Sequence, residues 1–201
     1  MTVIDENASK TSASRAVAEM SVYSVNAGQE YMKNPDLKQE DILELKKWAE
    51  TKKLPSISDE LLILFYHSCM YDMKAAQSCI EVYYELRKNS PEFFKNRDVS
   101  RPELQQALTV LQYSCLPVKD QHGYQIIYHG LQQYEANKYV FNDGVKLLAM
   151  AIDACLCVEG TVPGYVFLFN MKGVRFSHLM RLSVSSMRKF FRYIQVYDNS
   201  F

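Results

Sequence analysis

Glycine is scarce, seven in 201 residues. Loops that cradle phosphate need glycine for close backbone approach, so the scarcity leaves little room for them. The common catalytic and cofactor signatures are missing as well: there is no G-x-x-x-x-G-K-[ST], G-x-G-x-x-G, G-x-S-x-G, H-E-x-x-H or C-x-x-C. The chain therefore reads as a non-enzyme with no cofactor and no metal. An excess of one charge is also lacking, since Lys+Arg 23 equals Asp+Glu 23, which argues against the electrostatic footprint of a nucleic-acid binder. The apolar run at residues 147–158 is broken by Asp153 and falls short of the ~20 residues that a membrane span requires. Five cysteines (Cys69, Cys79, Cys115, Cys155, Cys157) form no disulfide framework, and residues 1–20 lack the apolar core of a signal peptide. Reduced thiols and a cytoplasmic location follow as expectations.

What is present is an ordinary globular composition, 48% hydrophobic and 23% charged. Residues 1–33 are rich in Ser, Thr, Ala and Asn without sustained periodicity and are expected to be a flexible leader. Asn34-Pro35-Asp36 carries the cap, proline and acid of a helix start, with Ile42, Leu45 and Trp48/Ala49 as its apolar stripe. Further helices are predicted from Ser58 to about Cys69, from Asp72 to a stop before Ser90-Pro91, and from Ser100 through Leu104, Leu108 and Leu111. Residues 34–112 thus form an all-α module.

Beyond residue 112 the period changes. Residues 120–123 read as a turn, 124–129 (YQIIYH) as a short strand, 143–158 as a long helix, and 165–171 (YVFLFNM) as a strand covered on both faces. Strand, helix and strand make a βαβ unit, and an amphipathic helix follows at 183–195. The fold class is α/β, an N-terminal helical module followed by a domain at 113–201 that ends before its sheet is complete.

The four histidines, His67, His122, His129 and His178, lie on different elements, and no spacing brings two together. Cys155 and Cys157 stand two apart on a helix and point away from each other. Lys172, Arg175, Arg181, Arg188, Lys189 and Arg192 face one acid, Asp198, from residue 172 onward. Such a cationic end is either a solvated helix face or a surface for anionic headgroups.

Three segments in order carry a family resemblance. They are DELLILFYHSCMYDMKAAQSCIEVYYELRKNSPEFF at 59–94, GYQIIY at 123–128, and VFLFNMKGVRFSHLMRLSVSSMRKFFRYIQ at 166–195. Together they resemble the CRAL-TRIO lipid-carrier family, in particular its α-tocopherol and retinaldehyde transfer branch. The resemblance implies a partial CRAL-TRIO lipid-binding domain at 113–201, a truncated product, behind the family's helical N-terminal module. It implies non-catalytic binding and transfer of a tocopherol-, retinoid- or phosphoinositide-like lipid, with docking to anionic membranes through phosphatidylinositol bisphosphate. The positions matching the family's pocket are Leu147, Ala151, Tyr165, Phe169, Leu182, Phe190, Tyr193 and Ile194. Arg181, Arg188, Lys189 and Arg192 are the headgroup candidates. Asn170 stands where the family has Asp, Val184 where Pro is common, and Leu64, His67 and Cys69 where its early basic cluster falls. A second reading is an interaction module that uses an open sheet edge and the apolar face of the last helix.

Overall fold

The computed structural model describes residues 26–198. Residues 1–25, most of the expected leader, lie outside them. The chain forms two compact units, one of residues up to Gln77 with Cys157–Thr161, the other of Ser78–Leu156 with the residues from Val162 onward.

The first unit contains α1 (Ala27–Lys33), α2 (Gln39–Thr51), α3 (Asp59–Ser68) and the start of α4 (Met73–Asn89). Residues 26–33, read from sequence as leader, belong to a capped helix: the Asn26 side chain accepts from Gln29 N, and Gln29 reaches back to Asn26 N. Asn34 does not open α2. It ends α1, and its Nδ2 donates to Glu30 O at 2.9 Å, Glu30 Oε2 at 3.1 Å and Thr161 Oγ1 at 2.9 Å. Glu30 is 3% exposed, and its carboxylate also receives Thr161 N at 3.3 Å and the Thr161 hydroxyl. A buried carboxylate needs such donors, and Asn34 is committed to supplying one. Helix α2 accordingly starts five residues later, after Lys38. Its stripe of Ile42, Leu45 and Ala49 is buried, together with Leu62, Ile63 and Phe65 of α3. Ser58 caps α3 through Leu61 N at 3.3 Å, and Asp72 Oδ1 accepts from Ala75 N at 2.8 Å at the start of α4.

The second unit holds the rest of α4, then α5 (Pro91–Phe94), α6 (Pro102–Val110), β1 (Leu111–Lys119), β2 (Gln125–Leu131) and a 3-10 turn (Ala136–Lys138). After these come α7 (Phe141–Glu159), β3 (Tyr165–Asn170), α8 (Phe176–Leu179) and α9 (Val184–Asp198). The last predicted N-terminal helix stops at Val110, and Leu111 opens a strand that the sequence reading lacked. The sheet order is β1-β2-β3, with β1 and β2 antiparallel (Cys115 opposite Ile127) and β2 and β3 parallel (Ile127 opposite Phe167). Pro117 sits where the β1 register is broken between Cys115 and Lys119, as a proline in a border strand at a bulge should. Asp120 closes the hairpin, its carboxylate accepting from His122 N at 2.9 Å and Tyr124 N at 2.8 Å.

Helix α7 buries Val145, Leu148, Ala149 and Ile152. Leu148, Ala149 and Ile152 join Leu86, Ile127, Cys155 and Tyr193 in one core. Strand β3 is covered on one face only. Tyr165 and Phe167 pack against that core, whereas Val166 and Leu168 are exposed at 36% and 51%. An unbroken apolar run does not distinguish one covered face from two, which is why the expectation of a doubly covered strand does not hold.

Candidate binding cavity

One end of the sheet in the second unit opens into a cavity of about 210 Å³. Tyr113 of β1, His129 of β2 and Phe169 of β3 are brought side by side there by the strand register, Tyr113 opposite His129 and His129 beside Phe169. The Tyr113 and His129 rings stack at 4.6 Å, 16° from parallel, and Phe169 meets His129 edge-on at 5.6 Å. The other wall comprises Tyr139, Phe141, Gly144, Val145 and Leu148; His178, Leu179, Leu182 and Phe190 also line the space, as do Leu131, Asn170, Met171 and Val174. Phe141 and Phe190 meet edge-on at 5.8 Å, and Tyr139 and His178 at 5.9 Å.

The polar groups on this surface are few and mostly committed. The Tyr113 hydroxyl donates to Gly144 O at 2.8 Å, and burial raises its pKa. Burial likewise pushes the Tyr139 phenol up to about 12. Burial lowers the His129 pKa below its ordinary 6.5, against a smaller opposing effect of its 3.3 Å contact with Gln112 O. His178 is 4% exposed; its Nδ1 accepts from Arg175 N at 3.1 Å, and its Nε2 has no partner among the described residues. No Lys or Arg lines the cavity among the described residues. A largely apolar, aromatic surface with a few polar side chains is suited to holding a small hydrophobic molecule.

The residues singled out from sequence separate here. Phe169, Leu182 and Phe190 line the cavity. Leu147 packs instead on Leu104 and Ala107 of α6. Tyr165, Tyr193 and Ile194 pack in the core around Leu148 and Ile152, with Tyr193 2% exposed and edge-on to Phe94 at 5.2 Å. Ala151 is half-buried on α7. Leu147 and Tyr193 stand off the principal apolar stripes, but α6 and Phe94 supply their partners, so neither faces the cavity. His129 and His178 line it together, a convergence that spacing alone did not show, because β2 and α8 are brought together by the parallel pairing of β3.

Among the four basic candidates, Lys189 pairs with Glu92 at 2.6 Å and Arg192 with Glu85 at 3.2 Å. Arg181 Nε donates to Tyr139 O at 3.1 Å, and Arg188 is exposed. Among the described residues no three His, Cys, Asp or Glu side chains gather as a metal site, and no helix is long and apolar enough to cross a membrane.

Residues 110–198 match the family model described as CRAL/TRIO domain, and residues 34–104 match the one described as Pinta-like, UBA domain. The first match covers every element that lines the cavity. It likens that part of the chain to the CRAL/TRIO domain.

Proposed function

We propose that this chain binds a single ring-bearing hydrophobic molecule, tocopherol- or retinoid-like, in the cavity of its second unit and carries it without chemical change. The observation that carries the reading is the lining itself: Tyr113, Tyr139, Phe141, Phe169 and Phe190 converge on one space inside the region that matches the CRAL/TRIO model. Aromatic walls favour a flat ring through offset and edge contacts, and apolar ligand area is stabilised by about 25 cal/mol per Å² removed from water. A phosphoinositide fits less well, because no Lys or Arg among the described residues lines the cavity to meet its phosphates. An anionic headgroup docking outside it would compete with Glu92 and Glu85 for Lys189 and Arg192.

The test is titration of the full chain with Nile red, followed by displacement with α-tocopherol, retinol or dioleoyl phosphatidylinositol. Saturable binding reversed by the first two supports the reading. Phe169→Asp should abolish it while the far-ultraviolet circular dichroism is retained. Unchanged binding in that variant would reject this cavity as the site. No binding in the parent chain would leave the second use of the fold, a partner-binding face around Phe176, Val184 and Phe191, which are 73%, 67% and 55% exposed.

A further inference from the structure

Cys115 and Cys155 stand 40 residues apart in the chain, and their Sγ atoms meet at 2.6 Å. Both are thiols, and both belong to the second unit. Cys115 is on β1, a border strand of the sheet, opposite Ile127 of β2. Cys155 is on α7, in the core with Ile127, Leu148 and Ile152. Strand side chains two apart share a face, and two residues before Cys115 the Tyr113 hydroxyl donates to Gly144 O of the same helix. The thiol contact is thus a second tie between β1 and α7. A disulfide demands side chains that converge, and Sγ atoms in contact meet that demand. The two thiols differ in access, Cys115 being exposed and Cys155 only 3% exposed. Oxidation of a cysteine follows its exposure and thiolate character, and a second thiol beside it captures the oxidised sulfur before it goes further.

We propose that Cys115 and Cys155 form a peroxide-driven dithiol–disulfide switch, in which Cys115 reacts first and Cys155 resolves it. The Cys115 thiolate attacks one oxygen of hydrogen peroxide and cleaves the O–O bond. A sulfenic acid is left, and the departing hydroxide takes up the proton that the thiol had released, giving one water. The Cys155 sulfur then attacks the sulfenic sulfur: the S–S bond forms, the S–O bond breaks, and the hydroxyl leaves with the Cys155 proton as a second water. Two thiols are oxidised to one disulfide while one peroxide is reduced to two waters. A dithiol reductant reverses the link by exchange and is itself oxidised to a disulfide. The inference stands independently of what the cavity holds.

The experiment treats the reduced full chain with a small excess of hydrogen peroxide, quenches it in acid and alkylates it with N-ethylmaleimide in denaturant. Intact mass and a peptide map are then read. The treated chain should carry two alkyl groups fewer than the untreated one, with one crosslinked pair of peptides that bear Cys115 and Cys155. Closing the loop between them should raise the melting temperature by roughly 5–10 °C, and dithiothreitol should abolish the rise. Cys115→Ser, at an exposed position where folding is little affected, should show neither the crosslink nor the rise. Cys155→Ala should leave Cys115 as a sulfenic acid that dimedone traps. Full alkylation of Cys115 after peroxide, its passage to sulfinic acid in the parent chain without a link to Cys155, or a crosslink from Cys115 to a different cysteine overturns the proposal.

Discussion

The imidazole of His129 lies flat against the phenol ring of Tyr113, centroids 4.6 Å apart and planes 16° from parallel. The pair sits in the antiparallel register of β1 and β2, where Tyr113 is directly opposite His129, and directly opposed aromatic side chains are a main source of sheet stabilisation. The same contact takes part of the His129 ring out of water.

That burial lowers the His129 pKa from its ordinary 6.5. His67 in the first unit is shifted the same way, chiefly by burial. The sign of the consequence is fixed. As pH falls through 6.5 the unfolded chain takes up these protons while the folded chain does not, so the unfolded state binds more protons and stability falls with pH. Urea denaturation should show a lower midpoint at pH 5.5 than at pH 7.5. His129→Gln should reduce that difference. An equal pH slope in parent and variant would contradict the lowered pKa of the half-buried His129.

Asp153 on α7 accepts from Arg87 Nη2 at 2.8 Å and Arg97 Nη1 at 2.7 Å, with all three side chains between 20% and 27% exposed. The sequence shows Asp153 only as the residue that interrupts an apolar run. Its role comes from two arginines 66 and 56 residues away. Asp153→Ala should destabilise the chain by about 2 kcal/mol, because two largely buried guanidinium groups lose their shared acceptor. A loss below about 0.5 kcal/mol would show that solvent takes over the carboxylate's place.

Gly173, in the turn that leads from β3 towards α8 and His178, has φ +82°, and a Cβ there would overlap the Tyr134 ring. Left-handed backbone and steric overlap act together. Gly173→Ala should cost about 2 kcal/mol. Adding Tyr134→Ser should recover the steric part and leave the smaller backbone part. Thermal melts of the single and double variants separate the two, and an unaltered Gly173→Ala melt would contradict both.

Much of the helical part was legible because its signals are local. Ser58 and Asp72 cap the helices their side chains predict, and the stripe of Ile42, Leu45 and Ala49 is buried as its spacing requires. Asn34 misled for a physical reason: its side chain meets Glu30 and Thr161, the latter 127 residues away, and that demand outweighs its local use as a helix start. Strand β1 was missed because its pairing with β2 is non-local and Pro117 masks its alternation. The cavity was legible in part. Phe169, Leu182 and Phe190 line it, but Leu147 and Tyr193 find partners in α6 and Phe94. The joint placement of His129 and His178 depends on the β2–β3 pairing, which no spacing in the chain encodes.

The most direct measurement of the central claim is native mass spectrometry of the purified full chain, with solvent extraction of whatever is bound. The account predicts one hydrophobic, ring-bearing molecule per chain, present in the parent protein and lost in Phe169→Asp. A folded chain that carries no small molecule, and takes up neither α-tocopherol nor retinol when incubated with them, would contradict it.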